Sequence, residues 1–236
     1  MTIAGTLSLL SVLDWAALAL LVSSWFLLGL RIEHPSKAHP SVSIIMADYR
    51  REWMRQLITR QPRIFDATLL NALRQGTSFF ASTCIIAIGG LLAVIGNTER
   101  LQNVAAEFAL AQDALFLWQL KLLVVVLLLT HAFLKFVWSN RLFGYCAVVM
   151  AAVPNEVDDP LAVPRALQAA EINIRAALNF NRGLRSIYYG LGALAWLIGP
   201  WALLGASALV SYLVWQREFS SLPRKILSEN IPGKEV

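Results

Sequence analysis

Four long apolar stretches constrain this chain most, at about residues 7–30, 76–96, 115–138 and 187–215. Each is long enough to cross a hydrocarbon layer of about 30 Å as a helix. Since lipid offers the backbone no water, a spanning segment must satisfy its own hydrogen bonds as a helix or within a closed barrel. Runs of this length predict an all-α, multi-pass transmembrane bundle of about four spans.

The composition supports one integral membrane domain over residues 1–236. Hydrophobic residues make up 57% of the chain, and the net charge of +5 comes from segments between the apolar runs. We therefore expect no nucleic-acid partner. Cys84 and Cys146 lie within apolar runs, where a thiol behaves as a small hydrophobe, so no disulfide is expected.

The first apolar run is expected to be a retained helix rather than a cleaved export signal. No Lys or Arg precedes it, and Asp14 interrupts it. It is also longer than the roughly 7–15 apolar residues of a signal core.

Lysine and arginine counts predict the orientation. The connection at 31–74 holds eight, the one at 97–114 holds one, and the one at 139–185 holds five. The positive-inside rule then places the first and third connections in the cytoplasm and both termini outside. The basic C-terminal tail contradicts this orientation, because its four Lys and Arg residues would then lie outside. At Gly199-Pro200 we favour a kinked single span, while a re-entrant hairpin would return the tail to the cytoplasm.

The cytoplasmic segments are predicted to form a helical collar. An amphipathic helix at about 41–60 has apolar residues at helical spacing, namely Val42, Ile45, Met46, Tyr49, Trp53 and Leu57. A second helix, at about 160–185, follows the start signal Asp159-Pro160.

Polar residues inside the spans are candidate functional groups, because a charge at the bilayer centre costs about 2.5 kcal/mol or more. Asp14 and Lys121 are predicted at similar depth and could form an ion pair. Equally, Lys121 could extend to the outer interface with Asp14 at headgroup level. His131 and Lys135 form a polar stripe that could relay protons, but we favour a helix-to-helix hydrogen bond for His131 and an interfacial position for Lys135.

A second candidate site is a basic ring at the inner interface, because the arginine fork suits phosphate groups. The alternative is an internal network in which Arg50 and Arg63 pair with Glu52 and Asp66. The residues of this candidate lipid or anion site are Arg50, Glu52, Trp53, Arg63, Asp66, Arg141, Arg185 and Tyr188.

The sequence lacks a recognisable catalytic or cofactor motif. His34, His39 and Glu33 share no helical face, so we expect no metal site. Without a nucleophile or ligand set we also expect no cofactor and no enzymatic activity.

Several short motifs spread over nearly the whole chain resemble those of a bacterial membrane-protein family, the domain of unknown function numbered 599. The resemblance implies a multi-pass helical protein without an established activity, and Lys121 matches it whereas His131 does not. The motifs are Tyr49 to Met54, Arg63-Ile64, Asp66-Ala67, Ser78 to Ser82, Lys121 to Leu123, Phe136, Trp138, Arg141, Gly183 to Ser186, Tyr188-Tyr189, Pro200-Trp201 and Arg217 to Phe219.

We therefore expect a non-enzymatic protein of the bacterial inner membrane whose basic collar binds anionic lipid or a protein partner. Membrane lipids are the expected partners, with a homo-oligomer or another membrane protein also open. Two alternatives remain: an oligomeric channel or transporter for a small solute, and an accessory or assembly subunit of a membrane complex.

Overall fold

The computed structural model describes residues 10–36, 38–97 and 115–229. Within these ranges every regular element is helical, which confirms the all-α fold class. The elements are α1 (Val12–Glu33), α2 (Val42–Thr59), α3 (Ile64–Gly96), α4 (Leu115–Ala151), α5 (Ala162–Ala193), a 3-10 helix (Leu194–Leu197), α6 (Pro200–Phe219) and α7 (Leu222–Ser228).

Three helices are long and apolar enough to cross a membrane: α1, α3 and residues Phe116–Ala151 of α4. They correspond to the first three predicted spans. Large apolar side chains lie on their surfaces, including Ile86 and Leu127, which are 74% and 60% exposed. Such surfaces are unfavourable in water and favourable in lipid.

The fourth predicted span is not a single kinked helix among the described residues. The Tyr189 hydroxyl lies 2.7 Å from the Ser211 hydroxyl. A continuous helix would separate these residues by about 33 Å, at about 1.5 Å per residue. The chain therefore reverses between them, and α5 and α6 form an antiparallel helical hairpin.

Gly199 and Pro200 explain where this reversal occurs. Gly199 has φ +154°, a conformation that side-chain-bearing residues rarely adopt. Proline is favourable in the first turn of a helix, where it removes no helical hydrogen bond, and Pro200 is the first residue of α6. After the reversal, α5 and α6 pack closely: a Cβ added to Gly192 of α5 would lie only 3.2 Å from Val210 Cγ2 of α6.

The described residues belong to two compact units, and neither unit is one continuous stretch of chain. Unit 1 takes its residues from 1–28, 80–135 and 182–212. Unit 2 takes its residues from 29–79, 136–181 and 213–236. Helices α1, α3, α4, α5 and α6 each contribute to both.

Each unit has its own buried core. In unit 1, Leu21, Tyr189, Trp196 and Leu203 are almost completely buried. In unit 2, the core combines large side chains of α2 and α4 with small ones of α5. The α5 members are Ala162, Ala166, Ala169, Ala170 and Ala176. Alanines at this spacing let neighbouring helices approach closely.

The C-terminal tail packs in unit 2 together with α2. The backbone N–H and hydroxyl of Ser43, at the start of α2, donate to Glu218 Oε2 over 3.2 and 3.0 Å. Arg224 Nε donates to the Pro40 carbonyl over 3.0 Å. The hairpin therefore brings the basic tail to the same unit as the basic first connection.

Candidate functional site

Asp66 organises one polar cluster of unit 2. It lies in the first turn of α3 and is completely buried. Its Oδ1 accepts a 2.7 Å hydrogen bond from Trp53 Nε1 and a second one from the Arg60 guanidinium. Trp53 and Asp66 are sequence-predicted site residues, whereas Arg60 was missed. Arg60 could have been predicted from its position, because it is a basic residue about one turn before a helix whose first turn contains an acidic residue.

Arg63 and Glu52 have partners that differ from those of the internal network considered above. The Arg63 guanidinium donates to the Val153 and Pro154 carbonyls over 2.6 and 2.7 Å. Glu52 accepts from Gln56 over 2.7 Å and lies 3.6 Å from Arg55. The alternative in which Arg50 and Arg63 pair with Glu52 and Asp66 is therefore wrong: in the described part of the chain, Arg50 and Arg63 have no carboxylate partner.

Arg50 points from α2 toward α5, where it meets a neutral amide. Its guanidinium donates to Oδ1 of Asn173, which is fully buried. Burial lowers the pKa of the Arg50 guanidinium from its ordinary value, yet arginine stays charged in proteins. The neighbouring Arg51 differs: its hydrogen bond to Glu171, at 2.7 Å, raises the pKa of Arg51.

A cavity of about 450 Å³ lies beside Arg50 within unit 2. Its wall is largely apolar and comes from α2, α3, α4, α5, α6 and the start of α7. The apolar lining includes Val42, Met46, Leu73, Phe143, Ile174 and Phe180, and the polar lining consists of Ser43, Arg50, Asn181, Arg217, Glu218 and Ser221. We call this cavity the Arg50 pocket.

The charged groups of the Arg50 pocket do not balance. Glu218 is 4% exposed and accepts both hydrogen bonds from Ser43. The Arg217 guanidinium lies 3.4 Å from Glu218 Oε1. With these two charges of opposite sign adjacent, the charge of Arg50 remains, so the lining carries a net charge of +1.

Asp14 and Lys121 come into electrostatic range in unit 1. Asp14 accepts hydrogen bonds from the Ser11 hydroxyl over 2.6 Å and from Trp196 Nε1 over 2.7 Å. Lys121 is 4% exposed, and its charge acts on the Asp14 carboxylate. Trp196 was not predicted as a partner of Asp14, and its hydrogen bond links the start of the α5–α6 turn to α1.

His131 takes part in a helix-to-helix contact of unit 1. Its Nδ1 lies 2.7 Å from the Ser186 hydroxyl, which also accepts a hydrogen bond from Trp25 Nε1 over 3.2 Å. The Trp25 and His131 rings meet edge to face at 5.0 Å. Lys135 and Arg185 add positive charge around the imidazole.

The remaining collar residues do not join the Arg50 pocket. Arg141 Nε donates to the Tyr145 hydroxyl of its own helix over 2.6 Å. Arg185 is buried in unit 1, and Tyr188 also belongs to unit 1, where it is partly buried.

A family model described as "Protein of unknown function, DUF599" matches residues 16–223. The chain belongs to the DUF599 family. The resemblance inferred from the short motifs is thus confirmed. No curated protein and no solved structure matches this DUF599 chain.

All residues that line the Arg50 pocket, from Val42 to Pro223, lie within the range that the DUF599 model matches. This range also includes Lys121, Trp196 and the complete α5–α6 hairpin. Within the described residues of this DUF599 protein, no three His, Cys, Asp or Glu side chains are arranged to hold a metal ion.

Proposed function

We propose that this DUF599 protein is a non-enzymatic, multi-pass protein of the bacterial inner membrane. In this proposal, unit 2 lies at the cytoplasmic side and binds an anionic amphiphile in the Arg50 pocket. The exposed apolar surfaces of α1, α3 and α4 support the proposed location in a membrane. The proposed cytoplasmic side rests on the basic residues of unit 2, which include those of the first connection and of the tail together with Arg141, Arg165 and Arg175 of the third connection.

The uncompensated charge of Arg50 is the observation that carries the proposal. Arg50 is partly buried, and a charge that is even partly removed from water is costly unless a charge of opposite sign or several hydrogen bonds compensate it. Arg50 has the neutral Asn173 as its hydrogen-bond acceptor and adjoins a cavity of about 450 Å³. A ligand anion in the cavity would supply the missing charge through a charge-assisted hydrogen bond.

The rest of the pocket lining favours an amphiphile over a small hydrophilic anion. Most lining residues are apolar, and they would contact hydrocarbon favourably. The volume falls within the range of about 300–1,000 Å³ that is usual for ligand sites. The net charge of +1 on the lining matches a singly charged headgroup, such as a phosphodiester or a carboxylate.

Native mass spectrometry of the protein purified in mild detergent tests this proposal. The test variant is Arg50→Gln, which removes the charge but keeps a hydrogen-bond donor. Arg55→Gln is the matched control, because Arg55 lies on the same helix, is exposed and pairs with Glu52. We expect the wild type and Arg55→Gln to retain the same number of anionic lipids and Arg50→Gln to retain one fewer.

Arg50→Lys extends the test in case Arg50→Gln is poorly folded. Lysine keeps the charge but cannot donate two parallel hydrogen bonds as a guanidinium does. Lipid retention by Arg50→Lys should therefore fall between that of the wild type and that of Arg50→Gln. An anionic-lipid count that is equal in folded wild type and in the folded Arg50 variants would overturn the proposal.

A further inference from the structure

We infer that a second cavity of unit 2 is a binding site for a phosphate ester. This cavity has a volume of about 320 Å³. Its polar lining residues are Arg63, Asn71, Arg74 and Asn155, and no carboxylate is among its lining residues. Unlike the Arg50 pocket, it therefore presents two positive charges with none of the opposite sign. We call it the Arg74 pocket.

The Arg74 pocket is separate from the Arg50 pocket, because the two lie on opposite faces of α3. The α3 residues that line the Arg74 pocket are Ala67, Leu70, Asn71 and Arg74, and those that line the Arg50 pocket are Ala72, Leu73 and Gly76. At about 3.6 residues per turn, the centres of these two sets point in opposite directions. The inference therefore does not depend on the function proposed for Arg50.

Arg63 supplies a fixed positive charge at one side of the Arg74 pocket. Hydrogen bonds to the Val153 and Pro154 carbonyls hold its guanidinium in place. Its Nε is buried and has no partner among the described residues. These carbonyls orient the group but do not neutralise it, so its charge remains available to a ligand.

Arg74 supplies the second charge on an exposed side chain, about two helical turns after Ala67 on the same face of α3. No carboxylate among the described residues lies within ion-pair distance of it. Asn71, one turn before Arg74 on the same face of α3, adds amide donors. The Arg74 guanidinium and the side-chain amides of Asn71 and Asn155 provide several donors to the oxygens of a single phosphate, and Arg63 adds its positive charge.

The size of the Arg74 pocket suits a headgroup rather than an acyl chain. Its volume lies near the lower limit of about 300 Å³ for ligand sites. A phospholipid headgroup and a soluble phosphate ester share the recognised chemistry, so the source of the phosphate must be decided by experiment.

The test compares Arg74→Gln with wild type in two binding measurements on the full-length protein in detergent. Native mass spectrometry with added phosphatidylglycerol counts tightly bound lipids, and calorimetric titration with glycerol 3-phosphate measures a soluble ester. Arg74 is exposed, so its replacement should not impair folding, and Arg55→Gln again serves as the control. Arg50→Gln separates the two sites, since it should leave binding at the Arg74 pocket intact.

Loss of one phosphatidylglycerol in Arg74→Gln, with no response to glycerol 3-phosphate in any variant, assigns the site to a lipid headgroup. An unchanged lipid count together with glycerol 3-phosphate binding that weakens at least about tenfold in Arg74→Gln assigns it to a soluble ester. If Arg74→Gln matches Arg55→Gln in both measurements, the inference is overturned, whatever Arg50→Gln does.

Discussion

Replacing Asp66 by Ala should destabilise the protein strongly, because the side chain is completely buried at the centre of a polar cluster. The substitution leaves the Trp53 Nε1–H without its acceptor, at a cost of about 1–3 kcal/mol. The Arg60 side chain is 35% exposed, so water can solvate it and its loss adds at most about 1 kcal/mol. We expect a total loss of about 1–4 kcal/mol in the free energy of unfolding.

Asp48→Ala is the matched control for this prediction. Asp48 also accepts from an arginine, Arg51, over 2.8 Å, but its side chain is 74% exposed. Exposed ion pairs contribute about 0–1 kcal/mol. Asp66→Asn should fall between the two, because it keeps an acceptor for Trp53 but loses the negative charge.

Equilibrium unfolding of the three variants in mixed micelles, titrated with a denaturing detergent, measures these differences. The expected order of destabilisation is Asp66→Ala, then Asp66→Asn, then Asp48→Ala. Equal losses for Asp66→Ala and Asp48→Ala would refute the claim that the buried cluster stabilises unit 2.

Three further predictions concern the hairpin and unit 1. Gly199→Ala should cost about 1–3 kcal/mol in the same unfolding assay, because its backbone conformation is unfavourable for alanine; a neutral effect would argue against this turn. Asp14→Asn should destabilise the protein more with Lys121 present than in Lys121→Met, with a coupling energy of at least about 0.5 kcal/mol, and additive losses would exclude the interaction. Reporter fusions should place the C-terminus and the 34–40 segment on the same side of the membrane, and opposite sides would contradict the hairpin.

The helical elements could largely be predicted from the sequence, because their signals are local. The first three apolar runs correspond to α1, α3 and α4. The amphipathic periodicity from Val42 onward matches α2, whose N-cap, Ser41, accepts a hydrogen bond from the Ile44 backbone N–H. Length, periodicity and capping residues act within one or two turns and so are readable from a single sequence.

The hairpin could not be decided from the sequence. A Gly-Pro pair is compatible with both a kink and a reversal, because proline is tolerated at a helix start and also bends a helix. The Tyr189–Ser211 hydrogen bond and the packing of Gly192 on Val210 distinguish them. These contacts link residues about five to six helical turns apart in sequence, and no local pattern encodes them.

The candidate site shows the same division between local and long-range information. The sequence singled out Arg50 as a candidate residue, and one of the two alternatives paired it with a nearby acid. The partner in the structure, Asn173, comes from α5, 123 positions away. Glu218 was missed as a site residue because it contacts Ser43 across 175 positions.

A high-resolution cryo-EM map of the protein, extracted directly into lipid nanodiscs from its membrane, tests the proposed function most directly. We expect elongated density in the Arg50 pocket, with its polar end within hydrogen-bonding distance of the Arg50 guanidinium and its apolar part against Phe143 and Ile174. A pocket that holds only water, or one filled by side chains with Arg50 paired to a carboxylate of the chain, would contradict it.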